Sequence, residues 1–123
     1  AYFVRSTVAH AVIKGIDTAE AKDVDGVHAV LTAQDLIDAG VDMNIEFSQV
    51  PNRDGSEGCA APRPVLATDR VRYVGEAYAC VIAETMAQAK DAAELIEFDY
   101  DELPAKIVAD HVCDMVPPAV GQV

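Results

Sequence analysis

Glycine spacing is the first chemical signal in this sequence, and it argues against a phosphate-binding loop. The seven glycines fall at positions 15, 26, 40, 55, 58, 75 and 121. Neither G-x-G-x-x-G nor G-x-x-x-x-G-K-[ST], whose backbone amides cradle phosphates, can be drawn through these positions. The sequence therefore predicts no dinucleotide or nucleoside triphosphate site.

Metal-ligating residue types are present but widely spaced. His10, His28 and His111 are far apart, and Cys59, Cys80 and Cys113 form no C-x-x-C pair. Zinc and iron–sulfur sites need clustered ligands, so no metal site is predicted. We expect His10 to be a hydrogen-bonded structural histidine. We expect all three thiols to be reduced, with Cys80 in the core.

Carboxylates and hydroxyls also lack a catalytic pattern. Asp99, Asp101 and Glu102 follow an apolar segment, where charged residues usually form a solvated edge. The serines, at positions 6, 48 and 56, lie in no G-x-S-x-G elbow. The residues taken alone thus predict a globular domain with no catalytic, cofactor-binding or metal-binding residue.

Composition narrows the possible partners. Apolar residues form 51% of the 123 residues, so a packed core based on Val, Ala, Ile and Leu is expected. A net charge of −12 disfavours nucleic acid and anionic membrane surfaces as partners. No apolar run approaches the ~20 residues of a membrane span. We expect a cytoplasmic protein, and the start at Ala1 suggests a fragment of a longer chain.

Hydrophobic patterning predicts one mixed α+β (α/β) domain over residues 1–123, with the order β-β-α-β, loop, β-β-α-β. Capping signals place one helix start at Asp17, with Glu20 three residues on, and others at Thr32 and Thr85. Residues 41–64 read as a long surface loop with a turn at Asp54-Gly55. The predicted strands span residues 2–5, 10–16, 27–31, 70–74, 77–83 and 97–100.

Two finer features follow from the same patterns. Gly75 interrupts two strand-like runs and predicts a bend or a close approach of backbones. Met86, Ala89, Ala93 and Ile96 recur at helical spacing, which predicts the buried stripe of the last helix.

Three ordered stretches carry a family resemblance, and together they cover nearly the whole chain. They begin with Phe3-Val-Arg-Ser6, Ala9-His-Ala11 and Ile16-Asp-Thr18, continue with Pro64–Val71, Tyr73-Val-Gly-Glu76 and Val81–Thr85, and end with Asp91–Leu95 and Phe98–Pro104. Each piece alone is a weak signal, but the ordered set is specific. The set resembles the molybdopterin-binding large subunit of xanthine dehydrogenases, aldehyde oxidases and aerobic carbon monoxide dehydrogenases. The sequence departs from that pattern at Ala77, where many relatives have Pro, and at Asp23-Val24-Asp25.

The resemblance implies the α/β hammerhead domain of those enzymes, and it looks most like the bacterial members with separate subunits. It implies a parent oxidoreductase, with molybdenum-pyranopterin cytosine dinucleotide held by other domains of the same subunit. Iron–sulfur and flavin domains or subunits would be further partners. No cofactor is expected in this chain. A free-standing, non-catalytic interaction module and a small independent enzyme are the alternatives.

Overall fold

The computed structural model describes residues 1–45, 50–58 and 63–105. Its short strands form antiparallel sheets with three short helices, which confirms the mixed α/β class. The elements are β1 (Tyr2–Arg5), β2 (Ala11–Asp17), α1 (Ala19–Lys22), β3 (Val27–Thr32), α2 (Ala33–Asp38), β4 (Asn44–Ile45), β5 (Arg63–Pro64), β6 (Arg70–Val71), β7 (Ala77–Ala83), α3 (Met86–Glu94) and β8 (Glu97–Glu102).

The first sheet has the order β1-β7-β3, with β7 in the centre. Residues Tyr78 to Val81 are buried in succession, so this strand is covered on both faces as its unbroken apolar run predicts. Phe3 lies opposite Cys80 on one side, and Leu31 lies opposite the same residue on the other. Helices α1 and α3 pack against this sheet.

The second sheet has the order β6-β2-β8, with β2 paired to both neighbours. Here β6 is shorter than the predicted strand over residues 70–74, which is wrong beyond Val71. The Arg72 N–H donates to the carboxylate of Glu76 rather than to a neighbouring strand. The chain then turns, with the Glu76 N–H donating to the Tyr73 carbonyl.

Capping boxes form at two of the three predicted helix starts. Thr32 with Asp35 and Thr85 with Gln88 form capping boxes. The box predicted at Asp17 is wrong, because Thr18 occupies the cap position and its side chain accepts no capping hydrogen bond. Asp17 instead accepts from the Ala19 N–H at 2.9 Å, a local turn that competes with a full cap.

The buried stripe of α3 differs from the predicted one at Met86 and Ala93. Met86 is 53% exposed and Ala93 is half-buried, whereas Ala89, Ala92 and Ile96 are buried. Met86 is the first helical residue, and a stripe at i, i+3 and i+7 from Ala89 turns it away from the sheet.

The core consists mainly of small side chains, as expected, with one aromatic pair in addition. Leu66, Val71 and Val81 are the largest fully buried side chains. The rings of Tyr78 and Phe98 stack with centroids 4.3 Å apart. This stack joins the central strand of the first sheet to an edge strand of the second.

The described parts of the 41–64 loop contain some regular structure. Strands β4 and β5 pair with each other, and Val65 N–H donates to the Met43 carbonyl. The turn predicted at Asp54-Gly55 is present, since Gly55 has φ +85° and its N–H donates to Asn52. Residues 46–49 and 59–62 lie outside the described part of the chain.

Candidate functional site

The two histidines that the structure describes lie on different elements, His10 just before β2 and His28 on β3 of the other sheet. His10 Nδ1 lies 3.0 Å from the Pro104 carbonyl, which confirms the predicted structural hydrogen bond. His28 is exposed on β3, at the register irregularity between Val27 and Ala29. His111 lies outside the described residues.

Cys80 is a buried core residue of β7, as predicted. Burial raises the pKa of its thiol above the usual value, which keeps the sulfur protonated and poorly nucleophilic. Cys59 and Cys113 lie outside the described residues.

The carboxylates of β8 form an exposed edge rather than a buried acid–base pair. Asp99, Asp101 and Glu102 are all exposed. Lys14 Nζ lies 3.0 Å from Asp101 Oδ2, and this hydrogen bond raises the pKa of Lys14. Such charges on an edge strand disfavour pairing with another chain.

The structure does bring two distant stretches together, at the end of β1 and the start of β7. The Ser6 N–H donates to the Glu76 carbonyl at 2.9 Å, and the Gly75 N–H donates to the Ser6 carbonyl at 2.8 Å. Arg5 Nη1 donates to the Gly75 carbonyl at 2.9 Å. We call this arrangement of Arg5, Ser6, Gly75 and Glu76 the β1–β7 junction.

Glu76 is the residue of the junction that the sequence analysis missed. Ser6 and Glu76 are the only buried polar or charged residues in the described parts of the chain. Glu76 Oε2 accepts from the Arg72 N–H at 2.6 Å. A carboxylate directly before a seven-residue apolar strand was the available signal, because a buried charge requires a specific partner.

Gly75 occupies the bend predicted for it. Its φ is +91°, a region that L residues rarely adopt. An added Cβ would meet nothing within 4 Å. The glycine is therefore required by backbone torsion rather than by a close steric approach.

The chemistry available at the junction is structural. Its polar groups are committed to backbone partners, and Ser6 Oγ donates to the Val8 carbonyl at 2.8 Å. No group of three or more His, Cys, Asp or Glu residues suited to a metal ion occurs in the described residues. Within the same residues, no helix has the length and apolarity to cross a bilayer.

Comparison with known proteins agrees with this picture of a domain. Residues 1–104 match the family described as aldehyde oxidase and xanthine dehydrogenase, a/b hammerhead domain. The nicotine 6-hydroxylase large subunit of Paenarthrobacter nicotinovorans is 41% identical, over 84% of this chain and 12% of that protein. The carbon monoxide dehydrogenase large chain of Afipia carboxidovorans is 40% identical, over 95% of this chain and 13% of that protein.

A solved structure gives the same result. The quinoline 2-oxidoreductase of Pseudomonas putida 86 superimposes with a TM-score of 0.83 at 33% identity, covering 96% of this chain and 14% of that one. The chain thus spans about an eighth of each relative's length. With a matching family description, a matching fold and relatives throughout the molybdenum hydroxylases, this chain belongs to the aldehyde oxidase and xanthine dehydrogenase family, as its a/b hammerhead domain.

Proposed function

We propose that this chain is a structural domain of a molybdenum hydroxylase large subunit, supporting assembly around the cofactor domains without contributing a catalytic residue. The observation that carries the proposal is the β1–β7 junction. Two of the stretches that resemble the family, Phe3–Ser6 and Tyr73–Glu76, meet there and hydrogen-bond to each other. A contact that determines the fold accounts for the resemblance of both stretches to the family.

The described residues do not fit molybdenum or its pyranopterin cofactor. The Cys80 thiol is buried and protonated, and His10 is bonded to a backbone carbonyl. A pyranopterin dinucleotide needs a phosphate-binding backbone loop or convergent donors. We therefore assign the cofactor, and the iron–sulfur and flavin partners, to other parts of the enzyme.

The test uses the complete enzyme that carries this domain, purified with its partner subunits. Val81→Asp places an unpaired charge at a fully buried position and should unfold the domain. We expect far less assembled, molybdenum-loaded enzyme. The activity per molybdenum atom in any enzyme that does assemble should be unchanged.

Two histidine variants serve as controls for a catalytic role, because histidine is a side chain that can act as an acid or a base. His10→Gln and His28→Gln should leave molybdenum content and kcat per molybdenum atom within about twofold of the wild type, since neither residue contacts reacting groups in the proposal. A histidine variant that keeps its molybdenum but loses kcat tenfold or more would show that the domain takes part in catalysis.

Elemental analysis of the isolated chain gives a second check. We expect no stoichiometric molybdenum or iron in folded protein. A free-standing interaction module would also bind neither metal, but its unfolding would leave the assembly of any molybdenum enzyme unaffected.

A further inference from the structure

An exposed band of apolar and arginine side chains runs from the outward face of β1 to the turn before β7. Phe3, Tyr73 and Val74 are 44%, 40% and 62% exposed. Exposed aromatic and aliphatic side chains in one continuous strip are a common mark of a protein contact. We call this strip the arginine–aromatic band, and its members are Phe3, Arg5, Arg63, Tyr73, Val74 and Ile82.

Strand register relates Phe3 to Ile82, and a hydrogen bond links Arg5 to the turn before β7. Phe3 lies opposite Cys80, which is two residues from Ile82 and therefore on the same sheet face. Phe3 and Arg5 alternate outward along β1, with both side chains exposed. Arg5 then reaches the Gly75 carbonyl, next to Val74 in the chain.

Arg63 closes the other end of the band. Its Nη2 donates to the Tyr73 hydroxyl at 2.9 Å, and its guanidinium carbon lies 5.4 Å from the centre of the tyrosine ring. These contacts order two long side chains in advance. A surface ordered before binding loses less conformational entropy when a partner docks.

The charge of the band identifies the chemistry of its partner. Arg70 and Arg72 approach Asp69, whereas no described carboxylate forms an ion pair with Arg5 or Arg63. Of the described arginines, Arg53 shares this lack of an ion pair but lies outside the band, so the band holds two such guanidinium groups in a chain of net charge −12. Arginine and tyrosine are also the residues that most often dominate binding energy at protein interfaces.

We infer that the band docks on another domain of the same large subunit. This inference rests on the proposed function. The complementary surface has an apolar centre that covers Val74 and Phe3, and carboxylates that pair with Arg5 and Arg63. Relatives are about eight times longer than this chain, so such a surface is available within one polypeptide. Helices α1 and α3 pack on the side of the first sheet that carries Val30 and Val81. Within the described residues, the side chains of the band are exposed.

Photo-crosslinking in the complete enzyme tests the inference directly. The photoreactive p-benzoylphenylalanine is placed at Val74, where the exposed side chain tolerates replacement. We expect crosslinks to large-subunit peptides outside residues 1–123 that contain Asp or Glu. The control position is Met86, which is 53% exposed but lies on α3.

Charge reversal then tests the role of the arginines. Arg5→Glu together with Arg63→Glu should lower the Val74 crosslink yield on the order of tenfold, the effect of losing one strong interface contact. Arg53→Glu, an exposed arginine outside the band, should leave the yield unchanged.

Three outcomes would overturn the inference: no crosslink at Val74 above that at Met86, crosslinks only to a second copy or another subunit, or a yield that the double reversal leaves unaltered. Failure of the inference is distinguished from failure of the proposed function, because the latter is judged by molybdenum content and by the activity of the histidine variants.

Discussion

Replacement of Glu76 offers the sharpest test of how the β1–β7 junction stabilises the domain. The carboxylate is 4% exposed and accepts one short hydrogen bond, from the Arg72 N–H at 2.6 Å. Glu76→Ala removes this acceptor and leaves the Arg72 donor, in the partly buried turn, without its partner. The turn that carries Tyr73, Val74 and Gly75 then loses the hydrogen bond between its two ends.

The expected magnitude follows from two contributions. A hydrogen bond to a charged group contributes about 1.5–3 kcal/mol to stability. The buried methylene adds about 0.8 kcal/mol. We therefore expect Glu76→Ala to lower the free energy of unfolding by about 2–4 kcal/mol. Glu76→Gln keeps the shape and an acceptor oxygen but loses the charge, and should cost about 1 kcal/mol.

Urea denaturation followed by circular dichroism measures both variants. With an m value of about 1.5 kcal/mol per molar for a small domain, the alanine variant should shift the midpoint by more than 1 M. The control is Glu84→Ala, an exposed glutamate just after the other end of β7, which should change stability by less than about 0.5 kcal/mol. If Glu76→Ala is no more destabilising than this control, the junction does not depend on its carboxylate.

Three further predictions follow from the local geometry. Gly75→Val should cost at least about 1 kcal/mol, because valine is strained at φ +91°; an unchanged urea midpoint and slope would contradict a torsional role. Thr85→Ala removes the hydroxyl that accepts from the Gln88 N–H and should cost about 1 kcal/mol, whereas Thr85→Ser should be nearly neutral. In hydrogen exchange followed by mass spectrometry, the amides of Ala77–Ala83 should exchange last and those of residues 50–58 early. The strand Ala77–Ala83 is largely buried, whereas residues 50–58 are exposed except at Gly58. Equal protection of the two segments would contradict this order.

Much of the fold follows from local patterns in the sequence. The apolar run at Ala77–Ala83 identifies a central strand, since only a strand covered on both faces lacks alternation. The capping pair Thr85 and Gln88 marks a helix start through contacts within one turn. Gly75 predicts a bend from its own freedom of φ. These signals are local, so they can be recognised in the sequence before it is known which segments are in contact.

Other features depend on contacts between distant residues, and local patterns could not supply them. The strand predicted through Val74 stops at Val71, and the turn that follows is held to β1 by the hydrogen bonds of Gly75 and Glu76 with Ser6. The stripe of α3 excludes Met86 because the packing of the helix on the sheet sets its rotation. The sequence predicts no catalytic residue in this chain, and that stays a prediction. The meeting of Arg5 with Gly75 and of Arg63 with Tyr73 was decided by tertiary structure, since residues 70 and 10 positions apart are brought together only when the strands pair.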